Sequence, residues 1–238
     1  MQKVYNRIVK GIKAYFNKNN FNKSVIGLSG GIDSSLSAYL AAKAIGNNNL
    51  FGILMPEIGV TQRSSIDHAI KIANIIKIKY TIQPINEFLK PFNKLRWQQN
   101  KIAVINTKAR IRANILYNYA NSNNALVIGT SNKSEILLGY FTKYGDGAVD
   151  IEVIGDLYKT QVYELAKFLK LPREIIEKQP TAELYHGHTD EEELGGTYEE
   201  IDKILKTKKF NSKLGISIKK RMQENEHKRV VAPIIRIK

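Results

Sequence analysis

Four short apolar runs, each followed by a stretch of helical periodicity, constrain this chain more than any other feature. SVIGL (24–28) leads into a helical pattern over about 33–45, and LFGILM (50–55) into one over about 61–78. YTIQPI (80–85) precedes helical sequence ending in KARIRANILYNYANSN, and ALVIGT (125–130) precedes a helix that begins near Asn132. Such alternation argues for a parallel sheet, because parallel neighbours need a crossover and helical crossovers cover the sheet. The asparagine clusters GNNNL and NSNNAL fall where one helix must stop and the next strand begin. After about Tyr158 the strand signals end. LYKTQVYELAKFLKL is an amphipathic helix stopped at Pro172, and TYEEIDKILKTKK and SKLGISIKKRMQENEHK read as two more. The expected fold is α/β, a parallel sheet with helices on both faces over about 1–158, with a helical extension over about 159–238. No Pro/Gly/Ser-rich linker and no repeat divides it, so 1–238 reads as one domain.

Composition removes whole classes of chemistry. The chain has no cysteine, which excludes disulfides, thiolate zinc sites and a cysteine nucleophile. No window approaches the roughly 18 apolar residues of a membrane span, and MQKVYNRIVKGIKAYF lacks a signal-peptide core, reading instead as an amphipathic helix. A cytoplasmic protein without a membrane partner is expected. The net charge of +15 raises the prospect of a nucleic-acid partner. Its lysines, however, are scattered, and no arginine-rich or aromatic-interleaved stripe accompanies them. We therefore expect no nucleic-acid partner; the excess suits a Lys-, Asn- and Ile-rich composition or attraction of a small anionic substrate.

The sharpest local signal is SGGIDSS (Ser29 to Ser35), between the first strand and its helix. Gly30 and Gly31 allow close backbone approach, and the N–H groups of a helix start favour an anion. Ser29, Ser34 and Ser35 offer hydroxyls to phosphate oxygens. The lysine of a Walker-type loop is missing, and Asp33 stands where a carboxylate would repel phosphates unless a divalent cation lies between. The loop thus suits a pyrophosphate with Mg²⁺ held by Asp33, and cleavage between the α- and β-phosphates rather than γ-phosphoryl transfer. A capping turn alone would account for a bare S-G-G.

In this context SGGIDSS resembles the loop of the pyrophosphatase-loop ATPases, Rossmann-like enzymes of the adenine nucleotide alpha hydrolase-like group, which activate a substrate with AMP. From Lys108 onward, KARIRANILYNYA, GTSNKSEILLGYFTKYGDGAVDI, DLYKTQVYELAKFLKLP, PTAEL, TDEEELGGTYEEID and EHKRVVAP follow in an order and spacing that resemble the NAD synthetase family. The resemblance runs from Gly27 to the C-terminus. It implies a carbon–nitrogen ligase of NAD biosynthesis that amidates deamido-NAD with ammonia, using ATP as co-substrate and Mg²⁺ and releasing AMP and pyrophosphate. It further implies a homodimer.

Carried over residue by residue, the resemblance places Gly27, Leu28, Ser29, Gly30, Gly31, Ile32, Asp33 and Ser34 around the ATP phosphates. Thr130, Lys159 and Thr181 would also contact ATP, and Asp33 and Glu135 would hold Mg²⁺. Arg110, Lys143, Asp150, His227 and Lys228 would contact deamido-NAD. Read without the resemblance, Glu135 is an exposed helix charge and Lys159 a surface lysine, although a cation at a helix start opposes the dipole and asks for a nearby anion. Arg110 and Arg112 share a helix on which Ile105, Ala109, Ile111, Ile115 and Leu116 would pack inward. Either arginine could fork a phosphate, and the motif selects Arg110.

In FTKYGDGAVD, Phe141 and Tyr144 could flank a nicotinate ring, and Asp146 could take a proton from ammonium; a plain surface turn is the alternative. The catalytic set is then Asp33, Lys159 and Asp146. His186 and His188 read as part of a solvated loop, a candidate lid, rather than as metal ligands. With neither a cysteine nor room for a glutaminase domain, free ammonia, or ammonia supplied by a separate partner, is the expected nitrogen source. The stretch PEIGVTQRSS receives no assignment, and any ATP contacts it makes are left open. A tRNA-modifying relative and a nucleotide sensor on the same fold are the rival readings.

Overall fold

Val25, Ile53 and Val127 sit in one apolar cluster while their neighbours Ile26, Leu54 and Ile128 sit in another. That alternation means successive side chains enter opposite faces of a sheet that is buried on both sides, as all-parallel sheets are. The computed structural model describes residues 1–181 and 189–237. In order these form α1 (Gln2–Lys18), β1 (Lys23–Gly27), α2 (Ile32–Ile45), β2 (Leu50–Leu54), α3 (Arg63–Ile75) and β3 (Lys79–Ile82). There follow α4 (Asn86–Leu89), α5 (Lys101–Asn123), β4 (Ala125–Gly129), α6 (Lys133–Leu138) and β5 (Ile151–Glu152). The helical extension comprises α7 (Lys159–Phe168), α8 (Arg173–Ile176), α9 (Asp190–Leu194), α10 (Tyr198–Thr207), α11 (Lys213–Glu224) and α12 (Glu226–Arg229).

The sheet is parallel throughout, in the order β3-β2-β1-β4-β5. Residues of α1, α2, α3 and α7 pack on one face, and residues of α5 with Leu89 and Phe92 on the other. From β1 the chain travels outward through β2 and β3, then returns to lay β4 on the other flank of β1. This makes the carboxyl ends of β1 and β4 the switch point at which open α/β sheets bind ligands.

The four expected strands are present, and local chemistry explains their boundaries. Asn124 ends α5 in the left-handed conformation, φ 50°, which asparagine tolerates better than most residues. β5 was not expected. Two residues cannot display a period, and its pairing to β4 is reinforced by the Asp150 carboxylate, which accepts the Val127 amide at 2.7 Å. The helix expected over 61–78 stops earlier, at Ile75, because Lys77 turns the chain at φ 57°. The acidic run after His188 is also more ordered than a solvated loop. Thr189 caps α9, and Asp190 is buried with the hydroxyls of Tyr140 and Tyr198 donating to it. His186 and His188 themselves lie outside the described residues.

The extension packs a third apolar cluster, in which Tyr198, Ile201, Leu205 and Ile218 close over Leu138 of α6. It is thereby seated on the helix that leaves the switch point.

Candidate active site

The SGGIDSS loop leaves β1 at the switch point, and its path is set by Gly30. That residue has φ +78°, and a Cβ there would come 2.0 Å from the Ser65 carbonyl oxygen, so only glycine fits. Around the loop opens a cleft of about 730 Å³, within the range of small-molecule sites. Gly27, Leu28, Ser29, Gly31, Ile32, Asp33 and Ser34 line it, whereas Gly30 turns against Ser65. The hydroxyls hold the loop in shape. Ser29 and Ser34 share a 3.0 Å hydrogen bond, and the Gly31 amide donates to Ser29 Oγ at 3.3 Å. Ser35 differs from its expected role, being fully buried and donating to the Gly31 carbonyl. Gly31 is the N-cap of α2 and supplies no capping side chain, so the helix start faces the cleft open to an anion.

Four side chains interlock beside the loop. Lys159 Nζ lies 2.5 Å from Asp33 Oδ2 and 3.7 Å from Glu135 Oε1. Asn132 Nδ2 donates to the other Asp33 oxygen at 3.0 Å. Asn132 also forms a capping box with Glu135, its own amide donating to Glu135 Oε2 and its Oδ1 accepting the Glu135 amide. One asparagine therefore holds both carboxylates. Burial works against the Lys159 charge, but Asp33 and Glu135 outweigh it and hold the ammonium firmly protonated. Burial, together with the Asp33 charge, pushes the Glu135 carboxyl well above the usual range, with Lys159 and the Asn132 amide opposing. Lys159 is 2% exposed, so the surface-lysine alternative does not hold; its ammonium also lies 5.1 Å from the centre of the Tyr198 ring.

The carboxylate pair is built to accept a cation. Two hard oxygen donors at adjacent strand ends, already sharing one buried ammonium, fit the ligand set that Mg²⁺ takes when phosphates complete its shell. Among the described residues no group of three or more His, Asp or Glu side chains could hold a metal without such help. Thr130 and Thr181 line the same cleft.

At the far end Phe141, Asp146 and Lys228 line the wall. Asp146 accepts the Thr142 amide at 2.9 Å. Its surface is open to cleft water but it lies deep among protein atoms, and that crowding raises its carboxyl pKa against the pull of Thr142 and Lys228. Lys228 donates to the carbonyls of Gly139 and Phe141, and burial lowers its pKa. The remaining residues assigned to deamido-NAD stand outside the cleft. Arg110 is exposed and donates to the Lys143 carbonyl at 3.3 Å, while Lys143 Nζ donates to the His227 carbonyl at 2.5 Å, so these three form a chain along the rim. Asp150 accepts from Val127 and from the Tyr117 hydroxyl and lines a smaller hollow with Glu152. Tyr144 is 63% exposed and absent from the cleft wall, so Phe141 alone of the expected aromatic pair faces the ligand space. Ile105 and Ala109, expected inside, line the cleft as well, and Arg112, not Arg110, is the arginine of α5 that does so.

Several cleft residues escaped the sequence. Glu57 and Lys108 form a half-buried ion pair at 2.7 Å, and Arg112 donates to the Met55 carbonyl at 3.0 Å. Both fasten the PEIGVTQRSS segment after β2. Asn132 marks a helix start in the sequence, and N-x-x-E at 132–135 is a legible capping signature.

The family model for NAD synthase matches residues 4–233. The chain belongs to the NAD synthase family. An NH3-dependent NAD+ synthetase of Archaeoglobus fulgidus is 42% identical over 241 residues, covering all of this chain and 98% of the relative. An NH3-dependent NAD synthetase structure from Campylobacter jejuni superposes with TM-score 0.82 at 35% identity, over 99% of this chain and 98% of that one. A structure of an NMN synthetase from Francisella tularensis superposes with TM-score 0.91 at 34% identity, again over 99% and 98%. Within the NAD synthase family the fold seen here is thus shared along nearly the whole chain, helical extension included.

Proposed function

We propose that the cleft carries out an ATP-dependent amidation in which the loop end binds ATP and the Asp146 end receives the acid and ammonia. The chain is an ammonia-dependent NAD synthetase, a ligase that converts deamido-NAD to NAD. The single observation that carries the residue assignment is the Asp33–Asn132–Glu135–Lys159 cluster at the switch point, facing the open start of α2.

In this reading the N–H groups at the start of α2 and the Ser29 and Ser34 hydroxyls take the phosphates. Thr130 and Thr181 contact the rest of ATP. Asp33 and Glu135 would hold Mg²⁺, which supplies charge neutralisation on the phosphates when bound. The pyridine carboxylate attacks the α-phosphorus, pyrophosphate leaves, and the acyl adenylate remains. Lys159 stabilises charge that develops on the phosphates, and the cleft walls align the attacking oxygen. Ammonia then displaces AMP. Asp146, whose raised pKa suits a proton acceptor, takes the proton from ammonium. No enzyme nucleophile is needed, in keeping with a chain that has no cysteine.

The dinucleotide is too long for the Asp146 end alone, and Lys228 there is joined to the rim chain of Arg110, Lys143 and His227 through α12. We place the rest of deamido-NAD along that rim and assign the rim to a homodimer interface. Among the described residues no helix is long and apolar enough to cross a membrane, and we place the reaction in the cytoplasm.

A shorter acid is the second reading, because the Francisella tularensis protein that shares this fold is described as an NMN synthetase. One assay separates the two. Purified protein, Mg-ATP and ammonium chloride are incubated with deamido-NAD or with nicotinate mononucleotide, with glutamine replacing ammonium in parallel tubes. NAD and AMP formed in equal amounts from deamido-NAD and ammonium is the expected result. Amidation confined to the mononucleotide would overturn the rim assignment.

A further inference from the structure

Lys159 is the first residue of α7, where its charge adds to the positive end of the helix dipole. Something must hold that helix start in place. We propose that Asp202, on α10 of the helical extension, is a positioning residue that fixes Lys159 against Asp33 and Glu135. This inference rests on the reading of Lys159 as the group that stabilises phosphate charge.

The geometry is closed on every side. Asp202 Oδ2 accepts the Thr160 amide at 2.8 Å, and Oδ1 takes a short hydrogen bond from the Ser134 hydroxyl. Ser134 Oγ in turn accepts the Lys159 amide at 3.0 Å. The first two amides of α7, which have no partner within the helix, are thus satisfied by one carboxylate and one hydroxyl. Ser134 immediately precedes Glu135, so the same clamp joins the helix that carries Glu135 to the helix that carries Lys159. Asp202 is 1% exposed, and neither it nor Ser134 lines the cleft, so neither touches a ligand held there. A carboxylate is also the group that a helix start favours electrostatically, so the start of α7 helps compensate the Asp202 charge. Tyr198, one turn earlier on α10, places its ring under the Lys159 ammonium, so α10 meets both ends of this lysine.

Loss of the clamp should move Lys159 by a fraction of an ångström, and displacements of that size cost about 10- to 100-fold in rate. The test is a cycle of wild type, Asp202→Asn, Lys159→Met and the double variant, read by NAD formation and by pyrophosphate–ATP exchange. Melting temperatures are recorded for each. Asp202→Asn should lower kcat about 10- to 100-fold in both assays, with KM for deamido-NAD moving less than about twofold. The double variant should be no slower than Lys159→Met, because a displaced lysine and a missing one fail in the same way. Multiplying effects, or kcat within twofold of wild type, would overturn the proposal. Should Asp202→Asn fail to fold, Ser134→Ala replaces it in the cycle under the same criteria.

Acylation of surface amines, followed by peptide mass spectrometry, supplies a readout independent of turnover. Lys159 should label faster in Asp202→Asn while Lys228 does not, and equal labelling of Lys159 in both proteins overturns the clamp. Wild-type protein that makes no NAD would count against the reading of the site alone, and the labelling would still decide the clamp.

Discussion

The two ends of the cleft solve the same problem, holding charged groups out of bulk water, in opposite ways. At the loop end the charges are spent on one another: Asp33, Glu135 and Lys159 meet within 3.7 Å, tied together by Asn132. At the rim end the cations are spent on main-chain carbonyls, Arg110 on Lys143, Lys143 on His227 and Lys228 on Gly139 and Phe141. A cluster of mutually compensating charges is preorganised and costly to break. Cations parked on carbonyls keep their net charge and can be drawn to an anionic ligand. The loop end is built for catalysis and the rim end for capture.

That contrast is easiest to break at Asp33. Asp33→Ala is expected to slow NAD formation about a thousandfold, since it removes a ligand for Mg²⁺ and the nearest partner of Lys159. Its side chain is 18% exposed and the lysine 2%, so stability should also fall, by about 3 kcal/mol. Turnover within tenfold of wild type would remove Asp33 from the catalytic set. Asn132→Ala comes next. It deletes a helix cap, at about 1–2 kcal/mol, and frees two carboxylates at once. We expect about a 10- to 100-fold loss in kcat, measured beside a thermal melt; a melt that shifts without any loss of rate would make Asn132 a cap and nothing more.

The rim predicts the reverse pattern. Arg110 is exposed and bonds only weakly to a carbonyl, so Arg110→Ala should leave the melting temperature unchanged. KM for deamido-NAD should rise about tenfold, the worth of one charge-assisted contact, with KM for ATP unmoved. Should KM for ATP rise equally, the division of the cleft into two ends is wrong.

The same division explains what the sequence made legible. Strand-then-helix alternation exposed the sheet because hydrophobic periodicity is set by burial and β1, β2 and β4 are mostly buried, while the largely exposed edge strand β3 showed through its aromatic and β-branched residues. The SGGIDSS loop was legible because glycines and an acid at a helix start have few other reasons to coincide. The deep position of Lys159 was half legible, as a cation that disfavours its own helix dipole. Asn132, Ser134 and Asp202 were not read as site residues, because a capping residue looks the same whether or not it also holds a catalytic group. Glu57 and Lys108 lie 51 positions apart and meet only because α5, on the way from β3 to β4, passes the segment after β2, so nothing local announces the pair. β5 was hidden by its length, and Tyr144 misled because an aromatic beside glycines in a polar loop reads like a stacking residue. Its exposure is decided by the turn, where it takes φ 62°.

Behind the cleft lies Glu152, at the end of β5, and its effect is on stability alone, with the cleanest sign. Its Oε2 accepts the Ser131 amide at 3.0 Å, and it lines the hollow behind the cleft with Asp150, Lys228 and Arg229. Burial pushes its carboxyl up to about 7, with the Asp146 charge adding and the Ser131 hydrogen bonds opposing. Below the ordinary carboxylate range both folded and unfolded chains hold this proton, and the group costs no stability. As pH rises toward 7 the unfolded chain releases it first, so the folded state is penalised progressively. Above about 7 both have released it and the penalty is constant. Glu152→Gln, which can still accept the Ser131 amide, should therefore melt like wild type near pH 4 and gain over it steadily up to about pH 7. The gain should then level off at about 3 kcal/mol. A gain independent of pH would mean that Glu152 titrates as an ordinary surface carboxylate. The wall between cleft and hollow would then be wetter than its packing suggests.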